Sequence, residues 1–136
     1  MGTPNWTDRW THRISTSYSF SSAHRLERLP EHHKCSRLHG HTYNVEVTVE
    51  GSVDEVGFVL DFGDLTWIGE LIHSELDHRY LNDVLPTNPT SENIASWFGT
   101  RVAEWLDARS DSARFDGFGV TVSESPRTHA SLWVRR

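Results

Sequence analysis

Two histidines one residue apart, His39 and His41, head a run of alternating valines in the stretch CSRLHGHTYNVEVTVEG (residues 35–51). Cys35, the one cysteine of the chain, stands just before them. An H-x-H pair on a strand sets two imidazoles side by side, and a third from a neighbouring strand completes three nitrogen ligands. Three protein ligands with a fourth position open is the arrangement of catalytic rather than structural zinc. The bland alternative is a pair of surface or hydrogen-bonded histidines, since H-x-H by itself is a weak signal. His24, which shares the parity of a neighbouring strand, favours the metal. Zn2+ is the first candidate, although three imidazoles hold other divalent ions.

Cys35 has His32, His33, Lys34, Ser36 and Arg37 as neighbours. A lone cysteine is most often a small buried hydrophobe, but positively charged surroundings favour a thiolate, and so a nucleophile or general base. In ELDHRYLND (75–83), Asp77 and His78 are adjacent. At an irregular helix exit such a pair can meet, the carboxylate orienting an imidazole that moves protons. Glu124 suits a planar ligand with two adjacent N–H donors, such as the amidine edge of a pterin or guanine. Its alternative is a salt bridge to one of the twelve arginines. His12, His73 and His129 read as solvated or structural. Lys34 is the only lysine, so Schiff-base chemistry would have to use it or the chain terminus.

The elements that must position these groups follow from periodicity. Ile14, Thr16, Tyr18 and Phe20 alternate with serines, and the same parity continues to Ser22 and His24. Tyr43, Val45, Val47 and Val49 alternate likewise, and read backwards they reach His41 and His39. Phe118, Val120 and Val122 lead to Glu124, and ASLWV (130–134) reads as a closing strand. Residues two apart on a strand share a face, so His24, His39, His41 and Glu124 extend core-facing rows. Polar groups are costly there unless they are paired or bind something. DLTWIGELIHSEL reads as a helix with Asp64 as N-cap, and TSENIASWFGTRVAEWLDAR as a second capped by Thr90 or Ser91. GFVLDF (57–62) is a short apolar run, and 107–117 reads as the exit loop. The order β-β-α-α-β-β predicts an α+β fold, a four-stranded antiparallel sheet with two helices on one face. Residues 1–12 read as a flexible N-terminal extension, and 13–136 as a single domain.

The 136 residues suffice for one domain with a real core. A net charge of −6 argues against nucleic acid as the main partner. No apolar run approaches a membrane span, and no secretory leader pattern is visible. One cysteine permits no intramolecular disulfide, which fits a cytoplasmic location.

Taken in order, FSSAHRL, CSRLHGHTYNV, GFVLDFGDL, LDHRYLND, NPTSEN and VTVSES resemble one family, from about Ile14 to Leu132. It is the pterin synthases, comprising 6-pyruvoyl- and 6-carboxy-tetrahydropterin synthases. The resemblance implies the tunnelling fold (T-fold), homohexamers built as dimers of trimers, and sites between subunits. It places zinc on His24, His39 and His41, the catalytic cysteine on Cys35, and its partners on Asp77 and His78. It makes Glu124 the pterin anchor and has Thr90, Ser91 and Glu92 line the pterin pocket.

Three residues separate Cys35 from H-G-H. That gap resembles the 6-carboxy branch of bacterial 7-deazapurine (queuosine-type) biosynthesis, whereas animal pyruvoyl enzymes typically have a longer one. A folate-serving branch carries glutamate near the cysteine position. The sequence SPRTHASL, directly after Glu124, departs from familiar members and leaves Arg127 and His129 without an assigned role. The expected reaction is a zinc-dependent lyase acting on 7,8-dihydroneopterin triphosphate, with a 6-pyruvoyl-tetrahydropterin synthase or a non-catalytic zinc- or pterin-binding module as alternatives. On charge and location alone, Arg25, Lys34 and Arg37 are the residues expected to meet the triphosphate.

Overall fold

A computed structural model describes residues 5–136. Its frame is an antiparallel sheet in the order β1-β2-β3-β4, so chain order and spatial order coincide. The strands are β1 (His12–His24), β2 (His39–Gly51), β3 (Phe115–Ser125) and β4 (Thr128–Arg135). Between β2 and β3 lie α1 (Trp67–Glu75), α2 (Leu81–Val84) and α3 (Ser91–Asp107). The expected β-β-α-α-β-β order holds, with the single turn of α2 added.

Register puts like with like. Phe20 faces Tyr43, Val45 faces Val122, Val47 faces Val120, and Val120 faces Leu132 on its other side. Opposed residues point to the same face, so these rows form one apolar surface. Ile68, Ile72, Ile94, Phe98 and Val102 of α1 and α3 are buried with it. The opposite face carries small hydroxyls that pair across strands, as Ser15 with Thr48 and Thr121 with Ser131, each at 2.8 Å.

Local chemistry sets the boundaries. Thr90 caps α3, its hydroxyl accepting from the Asn93 N–H at 3.1 Å. Asp64 does not cap α1 as expected. Asp61 caps a 3-10 turn, Phe62–Leu65, that precedes the helix, and the N-cap of α1 is Thr66, which makes no side-chain cap bond. The Asp-x-x-Asp spacing offers two candidate caps one turn apart, and the tighter turn takes the first. β1 begins at His12, earlier than the alternation from Ile14 suggests. Trp6–Arg9 form a 3-10 turn capped by Asn5, so only residues 1–4 of the expected extension lie outside the described residues.

Candidate metal and catalytic site

β1 and β2 end together at the pair His24–His39. The core-facing row of β2 continues through His41, and that of β3 through Glu124. One end of the apolar face is therefore capped by three imidazoles and a carboxylate, as strand parity anticipates. The ligand nitrogens of His24, His39 and His41 lie within 4.8 Å of one another. His24 is fully buried.

Hydrogen bonds to the backbone set the ring tautomers. His24 Nδ1–H donates to the Pro89 carbonyl at 2.8 Å, and His39 Nδ1–H to the Arg37 carbonyl at 2.6 Å. In a neutral ring the other nitrogen then carries a lone pair. Burial depresses the His24 pKa, and the Pro89 carbonyl and Glu124 oppose this more weakly, so the ring is held neutral. Yet the two Nε2 atoms face each other at 3.0 Å. Two lone pairs at that distance repel unless a cation lies between them. His41 Nε2 is also buried without a hydrogen-bond partner. These donors fit a divalent ion, and the Nδ1–H bonds to carbonyls are the outer-shell contacts that metal-bound histidines use.

Glu124 lies against the same cluster, 3.5 Å from His41 Nε2 and 3.9 Å from His24 Nε2. Ser91 Oγ–H donates to it at 3.3 Å. Among the described residues no arginine reaches Glu124, so the alternative of an arginine pair does not apply. Of the three expected pocket residues on α3, Ser91 touches the site, Thr90 spends its hydroxyl on the helix cap, and Glu92 is exposed. Tyr43 adds a feature that strand reading takes for core alone. It is fully buried, with its ring near His24 and His41 and its hydroxyl without a partner. Burial, and then the nearby Glu124 charge, push that phenol well above its usual pKa.

The far edge of β1 is covered near its end by residues 77–88. Ser21 N–H donates to Asp77 Oδ1 at 3.0 Å, and Ser21 O accepts from the His78 N–H at 2.7 Å. His78 Nδ1–H donates to Asp77 Oδ2 at 3.0 Å. The pair meets because His78 adopts a left-handed backbone, φ 57°. The Ser21 N–H first, and His78 after it, hold the Asp77 carboxyl below its usual range. His78 is 83% exposed and shares an open groove with His41, Ser21, Gly40, Thr42 and Tyr80.

Cys35 sits half-buried on the 3-10 turn Lys34–Ser36, its carbonyl accepting from the Leu26 N–H at 2.9 Å. Arg25 and Arg37 are exposed and line one cleft, whereas Lys34 is exposed outside it. Two asparagines not singled out by sequence hold this region. Asn82 accepts from the Arg25 N–H at 2.9 Å and donates to the Arg25 carbonyl at 2.7 Å. Asn88 does the same for Glu27, at 2.9 and 3.0 Å. These amides carry on, along the outer edge of β1, the cover that residues 77–79 begin at Ser21 and Ala23. Arg127 and His129 lie exposed at the β3–β4 turn.

A four-stranded antiparallel sheet with helices on one face and an imidazole cluster at its end defines a tunnelling-fold protein. The chain belongs to the 6-pyruvoyl tetrahydropterin synthase family, whose pattern matches residues 13–134. It is 43% identical over 91 residues to a putative 6-carboxy-5,6,7,8-tetrahydropterin synthase of Archaeoglobus fulgidus, covering 67% of this chain and 76% of that one. It is 42% identical over 96 residues to the dihydroneopterin monophosphate aldolase of Pyrococcus furiosus, covering 69% and 77%. The Caenorhabditis elegans 6-pyruvoyl tetrahydropterin synthase structure superposes with a TM-score of 0.73 at 28% identity, covering 90% of this chain and 94% of that one.

Proposed function

We propose that the protein is a zinc-dependent 6-carboxy-5,6,7,8-tetrahydropterin synthase. It would convert 7,8-dihydroneopterin triphosphate and water to 6-carboxytetrahydropterin, acetaldehyde and triphosphate, in queuosine-type 7-deazapurine biosynthesis in the cytoplasm. The observation that carries this reading is the cluster of His24, His39 and His41 with Glu124 beside it, His39 standing four residues after Cys35 in the chain. The relative in Archaeoglobus fulgidus with a 6-carboxy name supports the branch.

His24, His39 and His41 would hold the zinc, which when bound supplies Lewis acidity that polarises a carbonyl and acidifies a hydroxyl. Glu124, braced by Ser91, accepts two N–H bonds from the amidine edge of the pterin and so fixes the ring against the cluster. Cys35 takes a proton from the substrate side chain as general base. His78, whose Nδ1–H is held by Asp77, presents its free Nε2 to a second proton. Arg25, Lys34 and Arg37 meet the phosphates. Strands β1 and β4 are the sheet edges, and paired edges between copies would close the sheet into the barrel of a hexamer.

A second reading rests on the comparable identity to the monophosphate aldolase. Incubation of zinc-loaded protein with the triphosphate and, separately, the monophosphate of 7,8-dihydroneopterin separates the two, with products identified by mass spectrometry. A 6-carboxy product with trapped acetaldehyde is expected from the triphosphate. A 6-pyruvoyl product, or turnover of the monophosphate alone, would replace the assignment, and no product from a zinc-bound protein would favour a binding role.

A further inference from the structure

His24 and His39 each give an Nδ1–H to a backbone carbonyl, but they reach that carbonyl differently. For His39 it belongs to Arg37, two residues back; for His24 it belongs to Pro89, which is buried and 65 residues away. The His24 ring is itself fully buried, so water does not replace this acceptor if it moves. A remote carbonyl that orients a buried imidazole has to be held still, and the residues around Pro89 hold it bond by bond.

The Pro89 carbonyl and the Thr90 N–H belong to one planar peptide and point in opposite directions. His24 Nδ1–H donates to the first at 2.8 Å, and the second donates to the Asn88 carbonyl at 2.8 Å. That second bond closes a three-residue turn on Pro89, whose ring fixes φ near the value such a turn uses. The Asn88 carbonyl also accepts from Asn93 Nδ2–H at 2.8 Å, so the turn is braced from α3. The backbone N–H of Asn93 goes to the Thr90 hydroxyl at 3.1 Å. With α3 begun one residue earlier, that N–H would bond the Pro89 carbonyl; the cap leaves this oxygen to His24. Asn88 closes the ring of bonds from the other side. Its side chain takes both backbone groups of Glu27, three residues past His24, at 2.9 and 3.0 Å.

We infer that Asn93 is a positioning residue for the metal site. Through the Asn88 carbonyl and the Pro89 peptide, its side-chain amide sets the direction in which His24 presents Nε2. It thereby sets the geometry and affinity with which His24, His39 and His41 take a divalent ion. The inference rests on the metal reading above and does not depend on which pterin product forms.

The test uses full-length protein loaded with Zn2+ or with Co2+ and titrated with a competing chelator. Asn93→Ala should weaken both ions about tenfold, the low end of the 10–100-fold effect of losing an outer-shell partner. The visible ligand-field bands of the Co2+ form should shift, because they report how the imidazoles are arranged around the ion. Alanine is the better helix former, so α3 itself should survive the change. Asn93→Asp is the second variant: it keeps the size, suits the start of a helix and lacks the N–H donor. It should shift the Co2+ bands in the same direction. Ser96→Ala removes a side-chain bond on the next turn of α3, from Ser96 Oγ–H to the Glu92 carbonyl, and should change neither readout. Wild-type chelator competition and unshifted bands in both Asn93 variants would overturn the inference, as would equal changes in Ser96→Ala. A wild-type protein that takes up neither ion would sink the metal reading and the inference with it. A 6-pyruvoyl product alongside the expected band shift would sink only the proposed reaction.

Discussion

His24 and His39 face each other through their Nε2 atoms at 3.0 Å, while each donates its other ring nitrogen to a backbone carbonyl. The arrangement is unfavourable for two neutral rings alone and favourable around a cation. It converts a strand-parity pattern into a specific chemical requirement, and the other groups of the site are arranged about it.

Replacing Cys35 by alanine should leave zinc content and pterin binding intact and reduce kcat by about 10²–10⁴, the usual contribution of a general base. Steady-state kinetics with parallel metal analysis checks this. A rate near that of the wild type would remove Cys35 from the mechanism.

Glu124→Gln keeps the size of the side chain and its bond from Ser91 but loses the charge that a pterin amidine edge would meet. Pterin affinity should fall by about 10–100-fold, as expected for a charge-assisted bidentate contact of about 1.5–3 kcal/mol. Fluorescence titration with neopterin reads the change. An unaltered affinity would place the ring elsewhere.

The Tyr43 hydroxyl is buried without a partner. Removing an unsatisfied buried polar atom while keeping its ring should cost nothing. Tyr43→Phe should therefore raise the stability of the ligand-free protein, by about 1 kcal/mol. A lower denaturation midpoint in urea would show that the hydroxyl is bonded after all.

Acid stability has a defined contributor at the opposite end of the molecule. Arg109, and then Arg114, hold the Asp111 carboxyl down at about 2. The same Arg114 donates to the Ser52 and Val59 carbonyls at 2.7 and 3.2 Å, pinning the loop after β2. A depressed carboxyl stabilises the fold above its ordinary value of 3.8, and that stabilisation is lost as pH falls through about 2. The Tm gap between wild type and Asp111→Asn should be constant above about pH 4 and narrow toward pH 2. A gap that stays level across this range would contradict the pairing.

Much of this was legible in the sequence because strands have a period of two. The rows through Phe20, Val45 and Val122 run directly into His24, His41 and Glu124, and no long-range information is needed to see that they share a face. What orients those groups was not legible. Pro89 lies 65 residues from His24, and its carbonyl carries no side-chain signature. The left-handed turn that brings His78 onto Asp77 has no glycine or asparagine to announce it. Asn82 and Asn88 resemble ordinary turn residues until the outer edge of β1 runs on through Arg25 and Glu27, whose backbone groups they take. Asp61 and Asp64 are equivalent as caps in sequence and differ only once the 3-10 turn is formed.

The central claim is that His24, His39 and His41 hold a catalytic zinc ion, and elemental analysis of exhaustively dialysed protein tests it most directly. About one zinc per chain in the wild type and almost none in His39→Ala is the predicted result. Full zinc occupancy in His39→Ala, or a wild-type protein that is active and metal-free, would contradict it.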